Sequence, residues 1–175
     1  MRYPYPFDPD KALHAIVYVA ARVQDPTFHS VSKVLYFADR AHLGEYGRFI
    51  LGDSYVAMRH GPVPSHVYNL MKGVRGDGWV PAELKPETFF GVEDSYRINP
   101  RREADVDIFS DSEIECLDTS IRKYGQLSFG SLTKLSHDDA WHSADENDII
   151  DVQNIVQTLP DSDALLEHLS DPHPD

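Results

Sequence analysis

The segment from Lys33 to Lys72, KVLYFADRAHLGEYGRFILGDSYVAMRHGPVPSHVYNLMK, constrains the fold more than any other part of the chain. Its first half and the residues just before it are apolar on nearly every side. Val31, Val34, Leu35 and Ala38 form one stripe, and Tyr36, Phe37 and Ala41 widen it. A helix of this kind belongs inside a protein rather than on its surface, so it is expected to be the hub of the core. Gly44 and Gly47 predict its end near Leu43, in the position of a C-cap and loop. Ser54 to Met58 alternates and is rich in strand formers, which predicts a short strand. In HGPVPS, His60 to Ser65, two prolines fix φ and remove two N–H donors, while Gly61 permits positive φ. A rigid turn is therefore predicted at Gly61, Pro62 and Pro64, leading into a helix that buries Val67, Leu70 and Met71.

The flanking sequence supplies further elements around this hub. Asp8-Pro9 is a helix start, a capping side chain followed by proline, and Leu13, Ile16, Val17 and Ala20 then recur on one face. Asp25-Pro26-Thr27 breaks that helix and opens the next. Thr88 to Asn99 predicts a hairpin turning at Glu93-Asp94, closed by Pro100, with a charged linker over 101–107. Ser110 and Glu113 match a capping box, and Ile114, Leu117, Ile121 and Tyr124 follow on one helix face up to Gly125. A short helix after Ser128 is expected to turn Leu132 and Leu135 inward, and Trp141 to anchor the segment after it. The predicted class is mainly helical α+β: a compact single domain with a few short antiparallel strands or a hairpin. Residues 1–145 are expected to form the domain. Residues 146–175 are expected to form an acidic C-terminal extension, with short amphipathic pieces at Val152, Ile155 and Val156 and at Leu165, Leu166 and Leu169, and a frayed end.

Composition narrows the function classes. The chain has 175 residues, enough to bury a real core in one domain. It carries 29 acidic residues against 16 Lys plus Arg, a net charge of −13. Nucleic-acid affinity comes largely from neutralised phosphates, so nucleic acid is disfavoured as a partner. The same charge would steer a basic protein partner in, or simply maintain solubility. No apolar run approaches the roughly twenty residues of a membrane span, and the start, MRYPYPFDPD, has no signal-type apolar region, which predicts a cytoplasmic location and no membrane partner. The single Cys116 excludes an intrachain disulfide and a cysteine-based zinc site, and its apolar neighbours mark it as a small buried hydrophobe.

Chemistry-bearing patterns are sparse. The best metal candidate is His137 with His142, separated by Asp138 and Asp139, yet an i, i+5 spacing does not put both rings on one helix face. A capped helix turn over the core accounts for the same residues, so no cofactor is expected. Ser65, His60 and Asp53 can be imagined as a nucleophile set, but no nucleophile elbow, phosphate-binding loop or dinucleotide motif accompanies them. No catalytic residue is assigned, and the chain is not expected to be an enzyme.

Three motifs within forty residues carry a resemblance: the Lys33–Asp39 helix (KVLYFAD), the strand GDSYVAM and the turn HGPVPS. In this order and spacing the segment resembles the SocA-like Panacea domain, the antitoxin half of many toxin–antitoxin pairs. The resemblance extends over roughly residues 5–145, including the helix at Ser110 and the LSFGSL run after Tyr-Gly. It implies a compact helical fold with a small β element and an antitoxin that neutralises a cognate protein toxin by direct binding. It implies, as an alternative, a proteolytic adaptor that hands its toxin to a cellular protease, with a protease or chaperone as further partner. A transcriptional regulator built on the helices at 110–124 and 128–136, and a hydrolase using His137 and His142, are further alternatives.

Partner contacts are assigned by residue type, because aromatic and arginine side chains dominate binding hot spots. Tyr36, Arg40, Tyr46, Tyr55, Arg59 and His60 are the candidates, with Tyr36, Arg40 and His42 expected on a face shared with the HGPVPS turn. Asp39, a charge in an apolar helix, is expected to pair with Arg59 or Arg48.

Overall fold

The computed structural model describes residues 1–172, so the last residues of the expected frayed end lie outside the described part. Asp8 caps the first helix, α1 (Pro9–Ala20), by accepting the Lys11 N–H, and Pro9 occupies the first turn. Thr27 and Ser30 close a capping box on α2 (Phe28–Tyr46). This 19-residue helix is the expected hub, enclosed over most of its length. It runs a turn beyond Leu43. Gly44 lies within it, since one glycine costs a helix only about 1 kcal/mol, and the left-handed cap falls at Gly47 with φ 81°.

The HGPVPS segment differs from expectation. It is a strand, not a turn. β1 (Tyr55–Met58) and β2 (Gly61–Pro64) pair antiparallel as Tyr55↔Pro64, Val56↔Val63, Ala57↔Pro62 and Met58↔Gly61, and the turn is Arg59-His60. Both prolines fall opposite β1 residues whose hydrogen bonds point the other way. Ala57 donates to the Asp148 carbonyl and accepts from the Asn147 N–H, and the Tyr55 carbonyl accepts from the Ile150 N–H. Residues opposite each other in an antiparallel pair are bonded only alternately, so prolines at 62 and 64 cost the ladder nothing.

The chain continues through α3 (Ser65–Arg75) and the hairpin β3 (Phe90–Glu93) and β4 (Arg97–Pro100), paired Glu93↔Arg97. That hairpin turns one residue later than predicted, at Asp94-Ser95-Tyr96, with Asp94 and Ser95 both at positive φ. Then come α4 (Asp111–Tyr124), α5 (Phe129–Ser136), α6 (Asp139–His142), α7 (Val152–Val156) and α8 (Ser162–Ser170). On α5, Leu132 is buried but Leu135 is half exposed, because Ser136 takes the inward position instead. The architecture is thus mainly helical α+β with two small antiparallel sheets.

Two apolar clusters meet at α2. One joins α1, one face of α2, α3, β3–β4 and α4; the other joins Tyr36, Phe37 and Leu43 to Tyr55, Leu132, Ala140, Ile150, α7 and α8. The acidic segment after 145 therefore packs into the second cluster through Ile150, Val152, Ile155, Val156, Leu165 and Leu169.

Buried charges fix the joints. Asp53 reaches the N-terminus of α3, accepting the His66 and Val67 N–H groups at 2.9 Å each and the His66 ring at 2.8 Å. It thereby caps a helix whose own N-cap is Pro64. His60 and Ser65 do not join it. Glu113 completes the capping box of α4 and also binds Lys11 and Arg48 at 3.0 Å each. Burial raises its pKa, but the Ser110 N–H, Lys11 and Arg48 outweigh that and hold it below the usual value.

Gly61 has φ 115°, and an added Cβ would stand 2.3 Å from Ser136 Oγ and 2.6 Å from Lys33 Cε. Gly61→Val is expected to destabilise the fold by about 2–4 kcal/mol or abolish it. Urea unfolding checks this, and a variant as stable as wild type would show that β2 does not need glycine there.

Candidate functional site

Five segments converge on one open cavity of about 530 Å³. The N-terminal turns of α2 supply Phe28, His29, Ser32 and Lys33; the β1–β2 turn supplies Arg59, His60 and Gly61. Tyr68 and Arg75 of α3, Tyr96 of the second hairpin and Phe129 of α5 complete the wall. Phe129 stacks on His29 with ring centroids 3.9 Å apart and meets His60 edge-on at 5.1 Å. Phe129 is 54% exposed and Tyr96 59%, so two aromatic side chains stand at the rim.

Lys33 is the unusual group. It is 1% exposed, and its ammonium donates to the Pro62 carbonyl at 3.1 Å, with no carboxylate partner among the described residues. Burial pushes its pKa down to about 7. Beside it, Ser32 Oγ is buried without a hydrogen-bond partner. His29 bonds Thr133 Oγ1 at 2.9 Å, and burial first, then Lys33, lowers its pKa to about 4, so it is neutral near pH 7. Arg75 is engaged by Asp77 and lies over the Phe28 ring.

The structure places the sequence-derived candidates very differently. Tyr36 and Tyr55 are each 1% exposed and belong to the core. The Tyr36 hydroxyl donates to Asp138 and that of Tyr55 to Asp39, both at 2.6 Å. Asp39 pairs with neither Arg59 nor Arg48. Its other oxygen accepts the Ile50 N–H at 2.7 Å, and burial pushes its carboxyl up to about 7. His42 is enclosed between the Arg48 carbonyl and Ser112. Arg40 points to the loop between α7 and α8, donating to Thr158 Oγ1 and its carbonyl at 3.0–3.2 Å. Tyr46 is exposed, but it ends α2 at the opposite end from His29, about 25 Å along a helix rising 1.5 Å per residue. Only Arg59 and His60 reach the cavity.

His137 and His142 have centroids 6.5 Å apart; His137 instead stacks on Trp141 at 3.8 Å and bonds the Arg59 carbonyl. Trp141 is an anchor, but of the β1–β2 hairpin: its indole N–H donates to the Met58 carbonyl at 2.8 Å. Among the described residues no three His, Cys, Asp or Glu side chains converge on a metal position. No helix among them is long and apolar enough to cross a membrane. Lys33 and Ser32 escaped sequence reasoning, although the signal was present: a lysine in a helix apolar on all sides must either snorkel or be buried.

A buried central helix clasped by a proline-bearing hairpin, with a cavity at the helix's N-terminal end, defines a small mainly helical α+β domain. The chain belongs to the antitoxin SocA-like, Panacea domain family, whose model matches residues 31–142. That span runs from the first turn of α2 to the end of α6 and contains every wall of the cavity except Thr27, Phe28 and His29. No curated protein and no solved structure matches the chain.

Two outcomes are expected from these contacts. Lys33→Met should gain stability relative to wild type as pH falls from about 10.5 to about 7, because the unfolded lysine holds its proton through this window and the folded one does not. The unpaired Pro62 carbonyl offsets the two curves by a constant. Chemical denaturation at several pH values reads the slope, and parallel curves would remove the buried ammonium. Arg40→Glu is expected to cost about 1–2 kcal/mol through lost bonds to Thr158, seen as a lower melting temperature.

Proposed function

We propose that this protein is an antitoxin that neutralises a cognate protein toxin by direct contact through the face bearing Arg59, His60, Phe129 and Tyr96. Family membership supports the role of antitoxin. The observation that carries the choice of face is the exposure of two aromatic rings beside an arginine at the rim of one concavity. Aromatic and arginine anchors around a recess are the usual centre of an interface. Arg59 makes no side-chain hydrogen bond among the described residues and is available to a partner.

The experiment is growth of bacteria expressing the reading frame beside this one, with and without this chain. Restored growth together with stoichiometric copurification is the expected result. Arg59→Glu with Phe129→Ser should abolish both, while Arg59→Glu alone should shift the melting temperature by no more than about 2 °C. Rescue that disappears in a protease-deficient host, without a stable complex, would favour the adaptor reading. A harmless neighbour would remove the toxin partner proposed here.

A further inference from the structure

In a chain with 29 acidic residues the cavity wall contains none, whereas it includes Lys33, Arg59 and Arg75. Of these cations only Lys33 is deeply buried. Arg75 is held by Asp77, Arg59 stands at the surface, and His29 is uncharged near neutral pH. The Lys33 ammonium has three N–H donors and uses one, on Pro62. Ser32 Oγ, buried in the same wall, has none of its hydrogen bonds made. A buried ammonium facing a recess without a counter-ion, next to an unsatisfied hydroxyl, is an incomplete arrangement.

We propose that this cavity is a binding site for a small monoanion carried on a flat apolar body, an aromatic carboxylate, with Lys33 as counter-ion and Ser32 as second donor. The chemistry of the wall decides the class. One buried cation balances one negative charge; a phosphate dianion would bring more charge and more acceptors than Lys33 and Ser32 satisfy. Phe28, Tyr68, Tyr96, Phe129 and Val63 make the rest of the wall mostly apolar and aromatic, suited to a ring. A volume of about 530 Å³ lies in the range of small-molecule pockets. Rings of Phe129 and Tyr96 at the rim would cover the bound molecule's open side. This site stands independently of the antitoxin reading, because its occupant is a free small molecule and its test needs only this chain.

Benzoate, 3-phenylpropionate and indole-3-acetate are titrated into the protein at about pH 6, where Lys33 is charged. Binding is followed by calorimetry and by the NMR shifts of Phe129 and His29. The neutral isostere benzamide and the ringless acetate serve as comparisons. At least one aromatic carboxylate is expected to bind about tenfold or more tightly than benzamide and acetate, the factor of a charge-assisted hydrogen bond. Lys33→Met should remove that preference while leaving benzamide unaffected. Ser32→Ala, which deletes only an unpaired hydroxyl, should fold normally and weaken carboxylate binding severalfold. No binding by any of the three carboxylates up to about 10 mM overturns the proposal. So does equal binding of benzamide, or carboxylate binding that survives both substitutions. Should Lys33→Met not fold, Ser32→Ala and the benzamide comparison decide.

Discussion

Everything in this fold is arranged around a helix that is enclosed over most of its length. Within its enclosed part, helix α2 buries one ammonium, Lys33, and one carboxylate, Asp39. Six residues apart on a 3.6-residue repeat, they point to different sides of the helix and cannot neutralise each other. Each has drawn a neutral partner from the hairpin region instead: Lys33 the Pro62 carbonyl, Asp39 the Tyr55 hydroxyl and the Ile50 N–H. Burying a charge is costly unless its surroundings are fixed. The two charges therefore specify one position of the β1–β2 hairpin against α2. Displacing the hairpin would strand both.

This clamp explains how the cavity stays open. Its floor is α2 and one wall is the hairpin, and their separation is set by Lys33 from one side and by Gly61, which admits the lysine stem, from the other. The remaining walls come from α3, whose N-terminus Asp53 caps, and from the second hairpin and α5, while Trp141 reaching Met58 holds the first hairpin from its far side. The candidate contact residues Arg59 and His60 are held on the two-residue turn of the clamped hairpin, so their backbone geometry is prepared before any partner arrives.

Local rules in the chain predict the parts that local physics governs. Asp8-Pro9, the Ser110–Glu113 box and the all-round apolarity of α2 each depend on residues within a few positions, and each falls where expected. The site is far less legible. Arg40 reads as a surface residue because its partner, Thr158, lies 118 residues away. Tyr36 and Tyr55 have the residue types of hot spots, but their hydroxyls are satisfied by the carboxylates of Asp138 and Asp39, which periodicity does not reveal. A lone Asp39 in an apolar helix suggests an arginine partner, yet Arg48 is taken by Glu113. HGPVPS reads as a turn because prolines usually mark one; the alternating register that accommodates them in a strand emerges only once β1 is in place.

That register has a further consequence. β1 is bordered on one side by β2 and on the other by residues 147–150, so its backbone groups are used on both sides. The margin of this small sheet without a strand neighbour is β2, all four of whose residues are buried; at such a margin an extended peptide would ordinarily add itself by offering a ladder of hydrogen bonds. At positions 62 and 64 there is no N–H to offer, and the Pro62 oxygen is occupied by Lys33. The margin is chemically silent to another backbone. A second copy of the chain therefore finds no ladder to extend, which protects the protein from joining its own copies strand to strand.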